Sequence, residues 1–114
     1  MDNCIFCKIA KGDIPVKKLY EDEQVVAFND VNPQAPTHVL VIPHTHIATL
    51  NDLTHDNQYL IGHMATVAAK IAKDVGHAEN GYRLVMNCNQ DGGQSVFHIH
   101  MHLLSGRQME WPPG

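Results

Sequence analysis

Three histidines that alternate with apolar residues have the clearest chemical potential in this sequence. They are His98, His100 and His102, in a stretch of residues 96–104 that is otherwise apolar. Because successive side chains of a strand point to opposite faces, this spacing places the imidazoles on one face and the apolar side chains on the other. A helix would give the imidazoles no common face. We therefore predict a strand over residues 96–104, with its imidazole face turned toward a ligand.

Imidazoles in such a row support two kinds of chemistry. Neighbouring histidines could share a metal ion, but the outer pair is roughly 13 Å apart at about 3.3 Å per residue, which is too far for one ion to hold all three. Alternatively, His100 acts as a nucleophile or base, while its neighbours orient it and neutralise an anionic substrate. The spacing alone leaves both chemistries open.

The loop that precedes the histidines favours an anionic ligand. Gly92 and Gly93 let the backbone approach a ligand closely, and consecutive amides in such a turn form an anion-binding nest. Ser95 adds a hydroxyl at the end of the same loop. An ordinary glycine turn between strands is the alternative, since this is not a Walker sequence and lacks its lysine. Beside the histidine strand, the loop predicts one half of a phosphate site.

The preceding chain supplies the elements that must position these residues. A short helix is predicted over residues 4–10, capped by Asn3 and ended by Gly12. A rigid loop at 30–36 contains two prolines, which fix φ and favour extended neighbours. Runs rich in β-branched residues predict strands. The predicted strands before the histidine strand are Lys18–Glu21, 24–29, 37–42 and 83–87.

A long amphipathic helix is predicted over residues 53–75, with Gly76 at its end. Polar positions on or beside this helix carry three histidines that we expect to be solvated: His55, His63 and His77. The expected fold class is α+β: a five-stranded, mostly antiparallel sheet with one short N-terminal helix and one long helix. We place both helices on a single face of the sheet, which leaves the other face to the triad of histidines.

Length and composition exclude several classes of protein. The 114 residues suit one domain, and a hydrophobic content of 44% supports a packed core. Eight basic and twelve acidic residues give a formal net charge of −4, so nucleic acid is not an expected partner. No apolar run approaches the ~20 residues of a membrane span, and the N-terminus lacks a signal-peptide pattern. Three cysteines favour a reducing compartment, and we expect a cytoplasmic protein.

Residues 92–104 resemble the signature of the histidine triad (HIT) family. Residues 30–43 and 81–114 are similar to its Hint branch, the histidine triad nucleotide-binding proteins. The resemblance implies a HIT-like α+β subunit whose sheet pairs with that of a second copy in a homodimer. It also implies hydrolysis of purine nucleoside phosphoramidates, such as AMP linked to an amine, or of acyl-adenylates. The reaction would pass through a nucleotidyl-histidine intermediate and require no cofactor.

The resemblance also implies a role for individual residues. His100 would be the nucleophile, and His102 with the amides near Gly93 and Ser95 would stabilise the phosphoryl oxygens. Ser95 and His38 would support proton transfer and orientation around His100. Asp30 would accept both ribose hydroxyls. The other implied nucleotide-binding residues are Asn87, Gly93, Ser95 and Val96, with Phe6, Phe28 and Val31 around the base. Without the resemblance, Phe6 and Phe28 would be assigned to the core.

A structural zinc site is suggested by the spacing of Cys4 and Cys7. The two cysteines lie three residues apart on the predicted first helix, hence on one face, where they can clamp a single ion. A tetrahedral zinc needs two more ligands. The resemblance implies His46 and His98, because some bacterial members of the family complete the cysteine pair with histidines at these positions. The alternatives are that the cysteines are small buried hydrophobes, or that His44 replaces His46.

Three hypotheses of function therefore compete. The first is a nucleoside phosphoramidase, the second a nucleotide-binding regulatory module with incidental turnover, and the third a metal-centred protein that uses the histidine row as ligands. Residues 105–114 form an aperiodic tail whose Trp111 is too large for the chain's own core to absorb. The resemblance places this tail near the active site of the partner, so a homodimer is predicted.

Overall fold

The computed structural model describes residues 3–114, in which five strands form one sheet and two α-helices pack against it. The strand order is β1-β2-β3-β5-β4, and every neighbouring pair is antiparallel. This arrangement confirms the predicted α+β class. In chain order the elements are α1 (Ile5–Lys11), β1 (Lys18–Glu21), β2 (Val25–Asn29), β3 (Thr37–Pro43), a 3₁₀ turn (Leu50–Asp52), α2 (Tyr59–Asp74), β4 (Tyr82–Val85) and β5 (Met101–Ser105).

The last strand is shorter than the prediction over residues 96–104. β5 pairs with β3 and β4 only from Met101 onward. Before that point the backbone leaves the ladder, and the amide of Ile99 donates to the carbonyl of Ile47 at 2.7 Å. Side chains continue to alternate, because Ile99 and Met101 both enter the core. His98 and His100 therefore lie on an extended segment that precedes the strand rather than within it.

Both helices differ from the predictions at their N-termini. Cys4, not Asn3, caps α1, and its Sγ accepts a hydrogen bond from the amide of Cys7 at 3.3 Å. α2 begins at Tyr59 rather than at residue 53, because a 3₁₀ turn and further turns occupy the preceding residues. Gly12 and Gly76 end the two helices with φ of 87° and 84°, as predicted. Within residues 3–114, no helix is both long enough and apolar enough to span a membrane.

The helices cover opposite faces of the sheet, so the prediction of a single helical face is wrong. α2 packs on one face, against residues that include Val25, Ala27, Val39 and Val41. α1 packs on the other, where its apolar residues meet Val26, Phe28, Leu40 and Ile42. Since β2 and β3 are apolar at consecutive positions, both of their faces need a cover. The histidine face is consequently closed over, and His98 and His100 are buried.

A polar junction joins the turn between β1 and β2 to α2. The carboxylate of Asp22 accepts hydrogen bonds from the amides of Gln24 at 2.8 Å and Val25 at 2.9 Å. It also accepts from the Tyr20 hydroxyl at 2.8 Å and from His63 Nε2 at 2.7 Å. Burial alone would raise the pKa of Asp22, but these hydrogen bonds outweigh it and hold the pKa well below its usual range.

The prediction of solvated histidines on or beside α2 holds for only one of the three. His55 is exposed, but His63 is half-buried in the junction with Asp22. His77 is also half-buried, and its Nδ1 lies 2.7 Å from the hydroxyl oxygen of Ser105 at the end of β5. His63 and His77 thus connect α2 and the loop after it to the sheet.

Candidate active site

Within residues 3–114, one ring nitrogen of His100 has a hydrogen-bond partner and the other has none. Its Nδ1 lies 2.8 Å from the backbone carbonyl oxygen of His98. A carbonyl oxygen only accepts, so Nδ1 must carry the proton and donate it. In the neutral ring, Nε2 then holds an unshared electron pair. An imidazole in this tautomer is set up to attack an electrophile through Nε2.

A second set of hydrogen bonds fixes His38 and His102. The amide of Gln34, which can only donate, lies 3.0 Å from His38 Nδ1, so this nitrogen accepts and the proton of a neutral ring is on Nε2. His38 Nε2 donates to His102 Nδ1 at 2.9 Å and lies 3.3 Å from the Asp30 carboxylate. The proton of His102 is thereby assigned to Nε2. We call Gln34, His38 and His102 the histidine relay.

Burial keeps both rings of the relay neutral. Removal from water lowers the pKa of His102 to about 4, with the neighbouring His100 and His38 acting in the same direction. Burial also lowers the pKa of His38, partly opposed by the nearby Asp30 carboxylate. At neutral pH the tautomers assigned above are therefore the populated forms. His38 contacts His102 in this arrangement, whereas the family resemblance implies a role for it around His100.

An apolar cavity of about 260 Å³ is lined by residues of α1, β2 and β3 and of the loop before His98. Phe6 is one of the lining residues, and its ring packs edge-on against His100, with ring centroids 5.1 Å apart. Phe6 and Phe28 are also in edge-to-face contact, at 5.8 Å. Six of the predicted nucleotide-binding residues line this cavity: Phe6, Phe28, Asp30, Val31, Ser95 and Val96. Phe6 and Phe28 are buried as well, so they are core residues that also line the cavity.

Two predicted nucleotide-binding residues, Asn87 and Gly93, are not among the residues that line this cavity in the described part of the chain. The amide of Gly93 donates to the carbonyl of Gln90 at 3.0 Å, and its φ of 79° suits glycine. Gly92 is required for a different reason, since a Cβ there would lie 2.5 Å from the carbonyl oxygen of Cys88. The close approach predicted for Gly92 is thus to the chain itself.

A cysteine–histidine group also lies close to Phe6, whose ring centroid is 5.9 Å from that of His98. Ligand atoms of Cys4, Cys7, His46 and His98 all lie within 4.8 Å of one another. His98 Nε2 donates to the carbonyl of Pro43 at 2.8 Å, which leaves Nδ1 unprotonated and 3.4 Å from Cys4 Sγ. His46 Nδ1 lies 3.3 Å from Cys7 Sγ. Two sulfurs and two imidazole nitrogens in this proximity could hold a metal ion.

Burial affects both kinds of ligand in the cysteine–histidine group. It lowers the pKa of His98 to about 4, so the ring is neutral, as metal ligation requires. It raises the pKa of the Cys7 thiol, which a bound cation would reverse. His44 lies outside the group, because its Nε2 donates to the carbonyl of Asp22 at 3.0 Å. Of the two histidines considered, the geometry places His46 at the cysteines.

Comparison with known proteins identifies the family. Residues 3–111 match the family described as scavenger mRNA decapping enzyme C-term binding. A HIT family hydrolase from Legionella pneumophila is 55% identical, with a TM-score of 0.95, covering 98% of this chain and 100% of that one. The chain belongs to the histidine triad family. A histidine triad protein from Clostridium difficile gives a TM-score of 0.92 at 48% identity, covering 96% of this chain and 95% of that one.

A curated HIT relative is also similar over nearly its whole length. The purine nucleoside phosphoramidase of Escherichia coli K12 is 53% identical over 108 residues, which is 95% of this chain and 91% of that protein. Within this HIT chain the three triad histidines do not act as one row. His98 lies with the cysteines, His100 packs against the cavity-lining Phe6, and His102 ends the histidine relay.

One residue that supports the HIT site was missed in the sequence. Gln94 is buried, and its side-chain amide donates to the carbonyls of Ala48 at 2.7 Å and Val96 at 3.0 Å. Its carbonyl oxygen accepts from the amide of Asn89 at 2.9 Å. Gln94 thereby fixes the loop that presents Ser95 to the cavity. A glutamine in a glycine-containing loop gives no signal of burial, because its partners are backbone groups.

Proposed function

We propose that this chain is a nucleoside phosphoramidase that hydrolyses purine nucleoside phosphoramidates, with acyl-adenylates as further candidate substrates. The observation that carries the proposal is the tautomer of His100, whose Nε2 has no partner within residues 3–114 and whose ring packs against Phe6, a residue that lines an apolar cavity. The 53% identity to the Escherichia coli purine nucleoside phosphoramidase supports the same reaction class. Binding of purine nucleoside monophosphates follows, since they are the product of this reaction.

The proposed reaction has two steps. His100 Nε2 attacks the α-phosphorus, the P–N bond breaks, and the leaving amine takes a proton that the Ser95 hydroxyl passes on from solvent. Water then attacks the nucleotidyl-histidine: its OH group bonds to phosphorus, its remaining proton returns to solvent, the P–N bond to His100 breaks, and neutral His100 and the nucleoside monophosphate result. The Nε2 proton of His102, assigned through its bond with His38, donates to the phosphoryl oxygens. Catalysis in this scheme comes from positioning and electrostatics.

The nucleoside part is proposed to occupy the cavity. Phe6 and Phe28 provide an apolar wall for the base, together with Val31, which is 99% exposed without a ligand and has surface to lose on binding. Asp30 lines the same cavity, and its carboxylate is assigned to the ribose hydroxyls. The backbone amides of Ser95 and Val96 and the side chain of Asn87 are assigned to the phosphate side. The amide of Gly93 already donates to the Gln90 carbonyl, so Gly93 contributes the turn before these residues.

Steady-state kinetics test this proposal. We expect hydrolysis of adenosine and guanosine phosphoramidates within a panel that also contains acyl-adenylates and diadenosine polyphosphates. His100→Ala should abolish turnover while AMP affinity stays within about threefold, because the variant removes the nucleophile and leaves the cavity walls in place. Wild-type protein that binds AMP but cleaves no phosphoramidate would replace the enzyme with a nucleotide-binding regulatory module.

We also propose that Cys4, Cys7, His46 and His98 hold a structural zinc ion. The donor set of two thiolates and two neutral imidazoles is one that tetrahedral zinc prefers, and it supplies all four ligands. Zinc would supply folding stability here and take no part in the reaction. We expect about one zinc per chain in protein purified without chelator or affinity tag.

The zinc proposal is tested by ligand removal. The double variant Cys4→Ser and Cys7→Ser should lose the metal and thermal stability together, whereas Cys88→Ser should keep both, since Cys88 lies outside the group. Less than about 0.2 zinc per chain in the wild type would exclude the site. Retention of metal and of Tm by the double variant would exclude it equally.

The proposal includes a homodimer in a reducing compartment such as the cytoplasm. β4 lies at one edge of the sheet, where a second copy can add its own strand. Trp111, in the tail of residues 105–114, is 83% exposed in the single subunit and offers a large apolar surface to a partner. The free cysteines Cys4, Cys7 and Cys88 support the reducing compartment.

A further inference from the structure

Arg107 connects the C-terminal tail to the loop between β2 and β3. Its guanidinium donates two hydrogen bonds to one backbone oxygen, that of Gln34, from Nε at 3.1 Å and from Nη2 at 3.0 Å. The two residues are 73 positions apart in sequence. Two hydrogen bonds from a planar guanidinium to one carbonyl oxygen fix both the position and the orientation of that carbonyl group.

The residue that Arg107 holds is also the first member of the histidine relay. The carbonyl of Gln34 accepts from Arg107, while its amide donates to His38 Nδ1 at 3.0 Å. Through the two peptide groups that flank its Cα, Gln34 therefore links the tail to the ring of His38. From His38, the hydrogen bond to His102 Nδ1 at 2.9 Å continues to the side chain assigned to the phosphoryl oxygens.

We propose that Arg107 is a positioning residue that sets the tautomers of His38 and His102 by holding Gln34 in place, an inference that rests on the proposed phosphoramidase function. With the Gln34 amide aimed at His38 Nδ1, the proton of His38 stays on Nε2 and that of His102 on its own Nε2. His102 then presents a donor to a negatively charged phosphoryl group.

The opposite tautomers would be unproductive. If the Gln34 amide moved away, His38 could carry its proton on Nδ1, and its Nε2 would accept from a protonated His102 Nδ1. His102 Nε2 would then present an electron pair to the phosphoryl oxygens, which repels them instead of binding them. Asp30 also opposes this state, because its carboxylate lies 3.3 Å from His38 Nε2. Loss of Arg107 thus weakens one of two restraints.

The same assignment argues against a metal ion at these residues. Asp30, His38 and His102 place ligand atoms within 4.8 Å of one another, a grouping that could suit a cation. A neutral imidazole that binds a metal through Nε2 must carry its proton on Nδ1. At His38 that nitrogen already accepts from the Gln34 amide, so the ring is oriented for proton placement rather than for ligation.

The test combines nitrogen NMR with kinetics. In ¹⁵N-histidine-labelled full-length protein, the nitrogen shifts of His38 and His102 report which nitrogen carries the proton, whether or not the protein turns over a substrate. We expect both rings as the Nε2–H tautomer in the wild type. Arg107→Gln should move these shifts toward the Nδ1–H form and lower kcat on an adenosine phosphoramidate about tenfold, with KM within about threefold.

Two further variants separate tautomer control from tail attachment. Arg107→Lys keeps one donor and should restore part of kcat together with part of the shift. Arg83→Gln is the matched control, since Arg83 also anchors the tail, through the carbonyl of Glu110 at 2.9 Å, but does not contact Gln34. It should leave the His38 and His102 shifts at their wild-type values.

The outcomes distinguish this inference from the proposed function. If Arg107→Gln lowers kcat but leaves the nitrogen shifts of His38 and His102 unchanged, tautomer control by Arg107 is overturned. It is also overturned if Arg107→Gln has both the shifts and the kcat of the wild type. Absence of phosphoramidase turnover in the wild type would overturn the proposed function, while the shifts would still decide how Arg107 acts on the two rings.

Discussion

His102 is a ring whose burial makes folding sensitive to acid. In the unfolded chain a histidine titrates near pH 6.5, whereas burial lowers the pKa of His102 in the fold to about 4. As the pH falls below about 6.5, the unfolded chain binds a proton that the folded ring does not take up. The contribution of this ring to stability is therefore complete above about pH 6.5 and is lost as the pH falls toward 4.

We expect His102 alone to lower the free energy of unfolding by about 2 kcal/mol between pH 7 and pH 5. Urea denaturation at the two pH values measures this difference. In His102→Gln, the decrease in the free energy of unfolding between pH 7 and pH 5 should be smaller than in the wild type by about that amount. His55→Gln, at an exposed position, should show the same decrease as the wild type. An equal fall in wild type and His102→Gln would contradict the assignment.

Which side chains lie together at the site was largely predictable, whereas their backbone partners were not. The metal-type residues Cys4, Cys7, His46 and His98 were selected by type and spacing together with the family resemblance, and the structure brings them together. Gln34 and Arg107 gave no signal, because each acts through a backbone carbonyl or amide of a segment far away in sequence. Such contacts depend on how the chain folds and have no residue-type signature.

At the scale of elements, the junction between Asp22 and His63 should contribute measurably to stability. The Asp22 carboxylate accepts four hydrogen bonds, and Asp22→Asn removes its negative charge and one acceptor oxygen. We therefore expect the free energy of unfolding to fall by about 2 kcal/mol. Because the pKa of Asp22 is lowered in the fold, its contribution should be full above about pH 4 and fall at lower pH.

Equilibrium denaturation with a matched carboxylate checks this expectation. Asp74 forms an exposed ion pair with Lys70 at 2.8 Å, so Asp74→Asn should change stability by less than about 0.5 kcal/mol. A double-mutant cycle of Asp22→Asn with His63→Gln should give a coupling energy clearly above zero. Similar effects of the two Asp→Asn variants would refute a special role for the junction.

The differences between predicted and observed elements have physical causes. Alternation at residues 96–104 indicates an extended chain but not a paired strand. Ile99 still enters the core where the backbone has already left the ladder, whereas Phe97, in the same apolar row, is 49% exposed. Consecutive apolar residues in β2 and β3 do indicate that helices cover both faces of the sheet, because a strand with one solvent-exposed face alternates apolar and polar residues. Apolar periodicity alone did not reveal that turns occupy residues 53–58 before α2.

At the scale of the whole molecule, assembly is the main expectation. Sedimentation at micromolar concentration should give twice the subunit mass of 12.7 kDa, because the β4 edge and Trp111 offer surfaces that one copy leaves exposed. Only a 12.7 kDa species would contradict the homodimer.

If the tail lies beside the partner's active site, Trp111→Ala should change selectivity among leaving groups more than affinity for AMP. This variant is sharper than removal of residues 106–114, since it keeps Arg107. Tyr59→Ala is the control, because Tyr59 is an exposed aromatic on α2, at 54% exposure. Kinetics on several phosphoramidates that differ only in the amine would measure the effect, and equal shifts in the two variants would argue against tail contact.

The antiparallel pairing of β3 with β5 has a consequence for folding, because activity cannot appear before these two strands have paired. β1, β2 and β3 follow one another along the chain, but β3 carries His38 and β5 carries His102, 64 positions later. Contacts of long sequence separation form late, because chain entropy must be lost before they are gained. In a refolding experiment, hydrolysis should therefore recover only after β3 and β5 have paired. Its recovery should be slower than a spectroscopic signal that reports formation of the β1–β2–β3 meander.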